Sequence, residues 1–156
     1  MPLARILVDG YSLLHAWPEL APGAAPHSER ARDALVRMLR KYHDASSHPI
    51  TVFFDGAGRA SHSVPDQSDR NVEILFSGAG RTADDLIERA AHRFLEFGAV
   101  LVVTDDSAER DTVIGLGGST TDCHQFIQMA VNTLAEFADE LKNRNRAERR
   151  DFGRPR

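Results

Sequence analysis

The sequence predicts an α/β fold of three layers, with helices on both faces of a mainly parallel sheet of four or five strands. Two observations lead there. Four short, mostly β-branched apolar runs recur along the chain, and amphipathic helical patterns alternate with them. A run that is apolar at every position marks a strand covered on both faces. Regular alternation of strand and helix is the signature of a doubly wound sheet.

The first run, Ile6 to Val8, ends at Asp9 and Gly10. Pro18, Pro22, Gly23 and Pro26 then make a loop, since proline and glycine interrupt regular structure. From Ser28 to Asp44, the residues Ala31, Ala34, Leu35, Met38 and Leu39 fall at helical spacing. Ile50 to Phe54 forms the second strand. A long polar connection, Gly56 to Arg70, follows as either a substrate lid or variable surface. Val72 to Phe76 is the third strand, and Ala83 to Phe97 the next helix, with Leu86, Ala90, Ala91 and Phe94 on one face. Val100 to Val103 is the fourth strand. Two helices close the chain, Ser107 to Leu116 and Thr121 to about Arg146, divided by the stop signal Gly117 and Gly118. The chain carries no internal repeat and no low-complexity tract.

At 156 residues the chain has the length of one domain with one core. Its single cysteine, Cys123, cannot form an internal disulfide and has no zinc-type spacing around it. No stretch approaches the roughly 20 apolar residues that cross a bilayer, so a cytoplasmic protein without a membrane partner is expected. Net charge is −4, but residues 142–156 carry seven Lys/Arg against two acids, leaving residues 1–141 at −9. The domain is therefore assigned to residues 1–141, with 142–156 a basic helix end or tail. Such a tail tracks phosphates or is a solvated helix terminus.

The acids are placed where chemistry is expected. Asp9 ends the first strand, Asp55 the second, and Asp105 and Asp106 the fourth. Ligands bind at these carboxyl ends in open parallel sheets. Asp84 and Asp85 open the helix after the third strand, and right-handed crossovers bring them to the same edge. Carboxylates held close repel one another and raise each other's pKa, which a divalent cation relieves. Oxygen-only ligation suits Mg²⁺ or Mn²⁺, ions that support phosphodiester hydrolysis. Each acid also has an ordinary explanation. Asp106 followed by Glu109 fits a helix cap, Thr82 with Asp85 a capping box, and Asp9 and Asp55 before glycines fit turns. Their convergence at one edge favours a site.

The run ILVDGYSLLHAWPEL at residues 6–20 resembles the opening of the YacP-like NYN-domain ribonucleases, a branch of the PIN-like nuclease fold. Asp9, Gly10, Tyr11, Ala16, Trp17 and Pro18 match in order. The resemblance continues through VFFD at 52–55, VEILF at 72–76, TADDLIE at 82–88, VTDD at 103–106 and GLGG at 115–118, covering roughly residues 3–130. It implies a PIN-like fold and a metal-dependent endoribonuclease acting on single-stranded RNA, with ribosome-associated mRNA among the candidate substrates. The implied catalytic acids are Asp9, Asp84, Asp85 and Asp106, with Asp55 a weaker candidate. Asp9, Asp84 and Asp106 would hold Mg²⁺ or Mn²⁺. Thr104 would stand beside Asp106 in a Thr-x-Asp pattern and contact substrate with Ser12; apart from the resemblance, Arg81, just before the Thr82 cap, is the preferred candidate for a phosphate contact. Ser12 departs from the family's Asn, replacing an amide that orients water or phosphate with a shorter hydroxyl. Beyond about residue 130 the match is slight.

Arg59, Arg70 and Arg110 are further candidates for phosphate contacts, although scattered surface arginines are common. Tyr11 and Trp17 either stack on bases or pack the first loop. The seven histidines show no metal spacing and are assigned no catalytic role. DNA stays open as a substrate because no identifiable residue reads a 2′-hydroxyl. A rival reading takes Gly78, Gly80 and Ala83 as a phosphate loop with Asp105 on a ribose, but Asp84 and Asp85 would repel a pyrophosphate there. A second rival, motivated by Ser12 and the acidic body, is a catalytically weak or inactive RNA-binding scaffold of the same fold.

Overall fold

The computed structural model describes residues 2–56, 62–63, 71–78 and 80–153, with only the backbone course described for 62–63 and 151–153. Most of the polar connection from Gly56 to Arg70, with Arg59 and Arg70, lies outside the described residues, as do Arg154 and Arg156. The chain runs β1 (Leu3–Asp9), α1 (Gly10–Ala16), a 3-10 turn (Pro18–Leu20), α2 (Glu29–Ser46) and β2 (Ile50–Phe54). It continues through β3 (His62–Ser63), β4 (Val72–Phe76), α3 (Ala83–Phe94), β5 (Ala99–Val103), α4 (Ser107–Leu116), β6 (Ser119–Thr121) and α5 (Cys123–Gly153).

The sheet order is β3-β4-β2-β1-β5-β6. Five strands are parallel, and β3 adds a two-residue antiparallel edge. The three-layer PIN-like α/β/α arrangement expected from the sequence is present, and the two edge strands extend it. On one face, Ile6, Val8, Val52, Phe54 and Ile74 pack with Leu35 and Leu39 of α2, Leu13 of α1 and Phe126 of α5. On the other, Leu7, Phe53, Val100 and Val102 meet Ala83, Ile87 and Ala91 of α3 and Val113 of α4. Alternation along β1 thus feeds two cores, and each fully buried Leu, Ile or Phe contributes roughly 1.5–3 kcal/mol. Tyr11 and Trp17 belong to the first core. The Tyr11 ring centroid lies 5.0 Å from that of Phe54, so packing, the ordinary alternative, describes both residues here.

Helix ends match the local sequence chemistry. Ser28 caps α2 by accepting from Ala31 N–H. Gly117 takes a φ of +99° to end α4, a left-handed conformation that favours glycine. From Ala138 to Arg150 every side chain of α5 is exposed, so this basic stretch is a helix end in solvent. Among the described residues, no helix is long and apolar enough to cross a membrane.

β1 carries the chain outward to β2 and β4, after which α3 returns it to β5 on β1's other side. The crevice between the carboxyl ends of β1 and β5 is the switch point of the sheet, where open α/β folds bind ligands.

Candidate metal centre

Asp9 is the last residue of β1 and also the N-cap of α1, its Oδ1 accepting from the backbone N–H of Ser12 at 3.3 Å. The turn from strand into helix depends on Gly10. A Cβ there would lie 2.3 Å from a ring carbon of Phe54, so no larger residue fits without moving a buried aromatic.

Asp84 sits in the first turn of α3, whose start is fixed by its neighbours. Thr82 and Asp85 form a reciprocal capping box, both bonds 3.2 Å, and Asp55 accepts from Ala83 N–H at 2.8 Å. With these groups committed to α3's N–H donors, the Asp84 carboxylate turns toward Asp9.

The third acid is Glu109, on the buried face of α4 with Val113. Asp106 caps α4, its Oδ1 accepting from Ala108 N–H at 2.9 Å and Glu109 N–H at 3.2 Å. A full capping box would turn Glu109 back to Asp106 N–H. That amide instead donates to the hydroxyl of Thr104 at 3.2 Å, which frees the Glu109 carboxylate to point inward. Thr104 Oγ1 then lies 3.2 Å from Glu109 Oε2 and 3.4 Å from Asp9 Oδ2. Its one proton serves one carboxylate at a time.

One oxygen each from Asp9, Asp84 and Glu109 lie within 4.8 Å of one another. Glu109 is only 3% exposed, yet its Oε1 has no hydrogen-bond partner. An unsatisfied buried oxygen costs about 1–3 kcal/mol. Burial pushes the Asp9 carboxyl up to about 6, the charges of Asp84 and Asp55 adding and the Ser12 amide and Thr104 opposing. Burial also pushes Glu109 up to about 9, helped by a hydrogen bond with Asp84 and by the charges of Asp84 and Asp9, against Thr104. Glu109 is therefore biased toward its protonated form. Three converging carboxyl oxygens, an unpartnered oxygen on the buried Glu109 and carboxyls pushed toward protonation fit a hard divalent cation.

The residues expected from sequence divide clearly. Asp9 and Asp84 come together, whereas Asp106 is committed to the α4 N-terminus and Glu109 stands in the place expected for it. Asp85 is exposed and bound into the α3 capping box. Thr104, expected to touch substrate, has no exposed surface and instead positions carboxylates. The Ser12 hydroxyl accepts from Asp105 N–H at 3.1 Å and from the Cys123 thiol at 3.6 Å, so it ties α1 to the loop after β5. Asp105 accepts from Cys123 N–H at 2.8 Å and so holds the start of α5. Arg81 is exposed at a groove beside α3. Buried among these groups, the Cys123 thiol is pushed up to about 12 and stays un-ionised. Sequence reasoning missed Glu109. The available signal was its place four residues before Val113, which puts a carboxylate on the apolar face of a helix.

A family model described as the YacP-like NYN domain matches residues 6–154. A protein of Bacillus subtilis (strain 168), described as uncharacterized protein YacP, is 29% identical over 124 residues, covering 79% of this chain and 72% of that protein. A crystal structure of Rae1 (YacP) from Bacillus subtilis superposes with a TM-score of 0.76 at 22% identity, covering 94% of this chain and 84% of its own. The structure of a mutant of Rae1 (YacP) gives 0.71 at 24% identity, covering 98% and 87%. Both structures share the fold described above.

Proposed function

The chain belongs to the YacP-like NYN domain family, a nuclease-like family, and from that membership and its acidic cluster we propose a metal-dependent endoribonuclease that cleaves single-stranded RNA. Asp9, Asp84 and Glu109 hold Mg²⁺ or Mn²⁺ in this reading. The observation that carries it is the convergence of their three carboxyl oxygens within 4.8 Å, with the buried Glu109 Oε1 lacking a partner.

When bound, such an ion neutralises charge on a phosphodiester and lowers the pKa of water. The chain's residues prepare for it. Glu109 must give up its proton before it can ligate, so ion binding releases a proton at that carboxyl. The Ser12 amide and the Thr104 hydroxyl hold Asp9 in one orientation. The N-termini of α3 and α4 carry Asp84 and Glu109, and their positive dipole ends offset negative charge drawn to the cluster. Asp85 and Asp106 support the centre by fixing these two helix starts. Ser12 braces it from α1, and Arg81 at the rim meets RNA phosphate. The cytoplasm fits a chain whose one cysteine is a buried thiol, and ribosome-associated mRNA is the substrate consistent with the family resemblance.

Wild type, Asp9→Asn and Asp84→Asn are incubated with single-stranded RNA in Mn²⁺, Mg²⁺ or chelator. Cleavage by wild type alone, abolished by chelator, is expected. Equal cleavage by all three proteins would sink the mechanism, and RNA binding without metal-dependent cleavage would identify a scaffold.

A further inference from the structure

We propose that the groove between α3 and α4 is a subsite for one nucleotide of the same RNA strand, flanking the scissile phosphate, with Arg89 as its phosphate contact. The inference rests on the nuclease reading and extends it to a part of the surface that the acidic cluster does not use.

The groove has a volume of about 630 Å³. Both of its walls belong to the helices that carry the metal centre. On α3, Asp84 belongs to the cluster and the next residue, Asp85, lines the groove; on α4, Glu109 belongs to the cluster and Thr112, less than one turn on, lines the groove. From Asp85 to His92 the α3 wall runs about 10 Å, at 1.5 Å per residue. A strand whose phosphate lies at the cluster can follow α3 and α4 into this groove.

The lining has the mixed chemistry of a nucleotide site. Arg81 and Arg89 are both exposed, and among the described residues neither is engaged in an ion pair. In a body of charge −9, they put cations where an incoming strand most needs them. Leu116, 40% exposed, offers an apolar surface to a base face. Glu88, half-buried, offers an acceptor for base amino or imino groups. The Thr112 hydroxyl donates to Ala108 O at 3.0 Å, which leaves its lone pairs as further acceptors in the groove's lining. Arg89 is preferred over Arg81 as the phosphate contact because it lies on the α3 wall itself, one helical turn beyond Asp85, whereas Arg81 precedes the helix.

The test uses wild type, Arg89→Ala and Arg89→Lys on a labelled RNA of about 12 nucleotides and on versions trimmed from the 5′ or the 3′ side of the cleavage site. Arg89→Ala is expected to raise KM about tenfold on the full RNA, with kcat retained and partial recovery in Arg89→Lys. That loss should vanish on RNA trimmed from one side, which a general folding defect would not produce. Wild-type behaviour of Arg89→Ala on the full RNA, or an equal loss on every RNA, overturns the subsite while leaving the nuclease reading intact. If wild type cleaves no RNA in Mn²⁺, the nuclease reading fails, and the groove is read from the Kd of the same RNAs by fluorescence anisotropy. A Kd for Arg89→Ala equal to wild type then overturns the subsite as well.

Discussion

The hydroxyl of Thr104 accepts from the amide of Asp106 and lies 3.2 Å from the carboxylate of Glu109, so one buried side chain completes the α4 cap and directs an acid into the core. Thr104→Val keeps the shape and removes the hydroxyl. A part-buried amide and a buried carboxyl each lose a partner, and a destabilisation of about 1–3 kcal/mol is expected. Thr104→Ser should recover most of it. Urea unfolding of the three proteins measures the difference, and a Val variant as stable as wild type would show that the hydroxyl is dispensable.

The stability of the metal-free chain should fall as pH rises. Glu109 and Asp9 titrate in the folded chain at about 9 and about 6, above their ordinary values of 4.5 and 3.8. The native state therefore binds more protons than the unfolded chain from about pH 4 to about pH 9, and stability declines with pH where that holds. The contribution of these two groups is complete below the ordinary values and lost above about 9. Divalent ions compete with these protons, so the Tm rise caused by Mn²⁺ should grow from pH 6 to pH 9. Melting curves with and without Mn²⁺ read both slopes, and a flat metal-free Tm across this range would contradict the protonated carboxyls.

Glu109→Gln separates folding from chemistry. Burial pushes the native carboxyl toward its neutral form, so the amide should leave the metal-free Tm at pH 7 nearly unchanged. RNA cleavage should drop on the order of a hundredfold, the scale at which a group stabilising transition-state charge contributes. A variant with full activity in Mn²⁺ would remove Glu109 from the centre.

Gly10→Ala should cost about 1–3 kcal/mol by overpacking. The new Cβ would meet the Phe54 ring, which is 1% exposed and flanked by Tyr11 and Phe76, so the ring has no room to swing away. The strain falls one residue from Asp9, and cleavage should decline along with stability. Chemical unfolding and a cleavage assay on the same preparation check both.

The sheet was largely legible because its four central strands are mostly buried and announce themselves as short, largely apolar runs, broken only by Thr51 and Glu73. β6 was not, since Ser119, Thr120 and Thr121 form a short polar edge with no such pattern, and α1 was hidden by a single turn of strand-to-helix that only Gly10 permits. At the site, Asp9 and Asp84 were legible from their positions after a strand and at a helix start. Asp106 and Glu109 were exchanged for a physical reason. Both lie in the first turn after β5, and Thr104 decides which of them caps and which turns inward. That choice depends on a hydroxyl contact, and its one trace along the chain is the place of Glu109 four residues before Val113.

The most direct measurement is the Mn²⁺ affinity of wild type, Glu109→Gln and Asp106→Asn by calorimetry at pH 8. Asn caps helices as well as Asp does, so Asp106→Asn should fold and bind Mn²⁺ much as wild type does, whereas Glu109→Gln should bind at least about tenfold more weakly. Loss of binding in Asp106→Asn with full binding in Glu109→Gln would contradict a centre built from Asp9, Asp84 and Glu109.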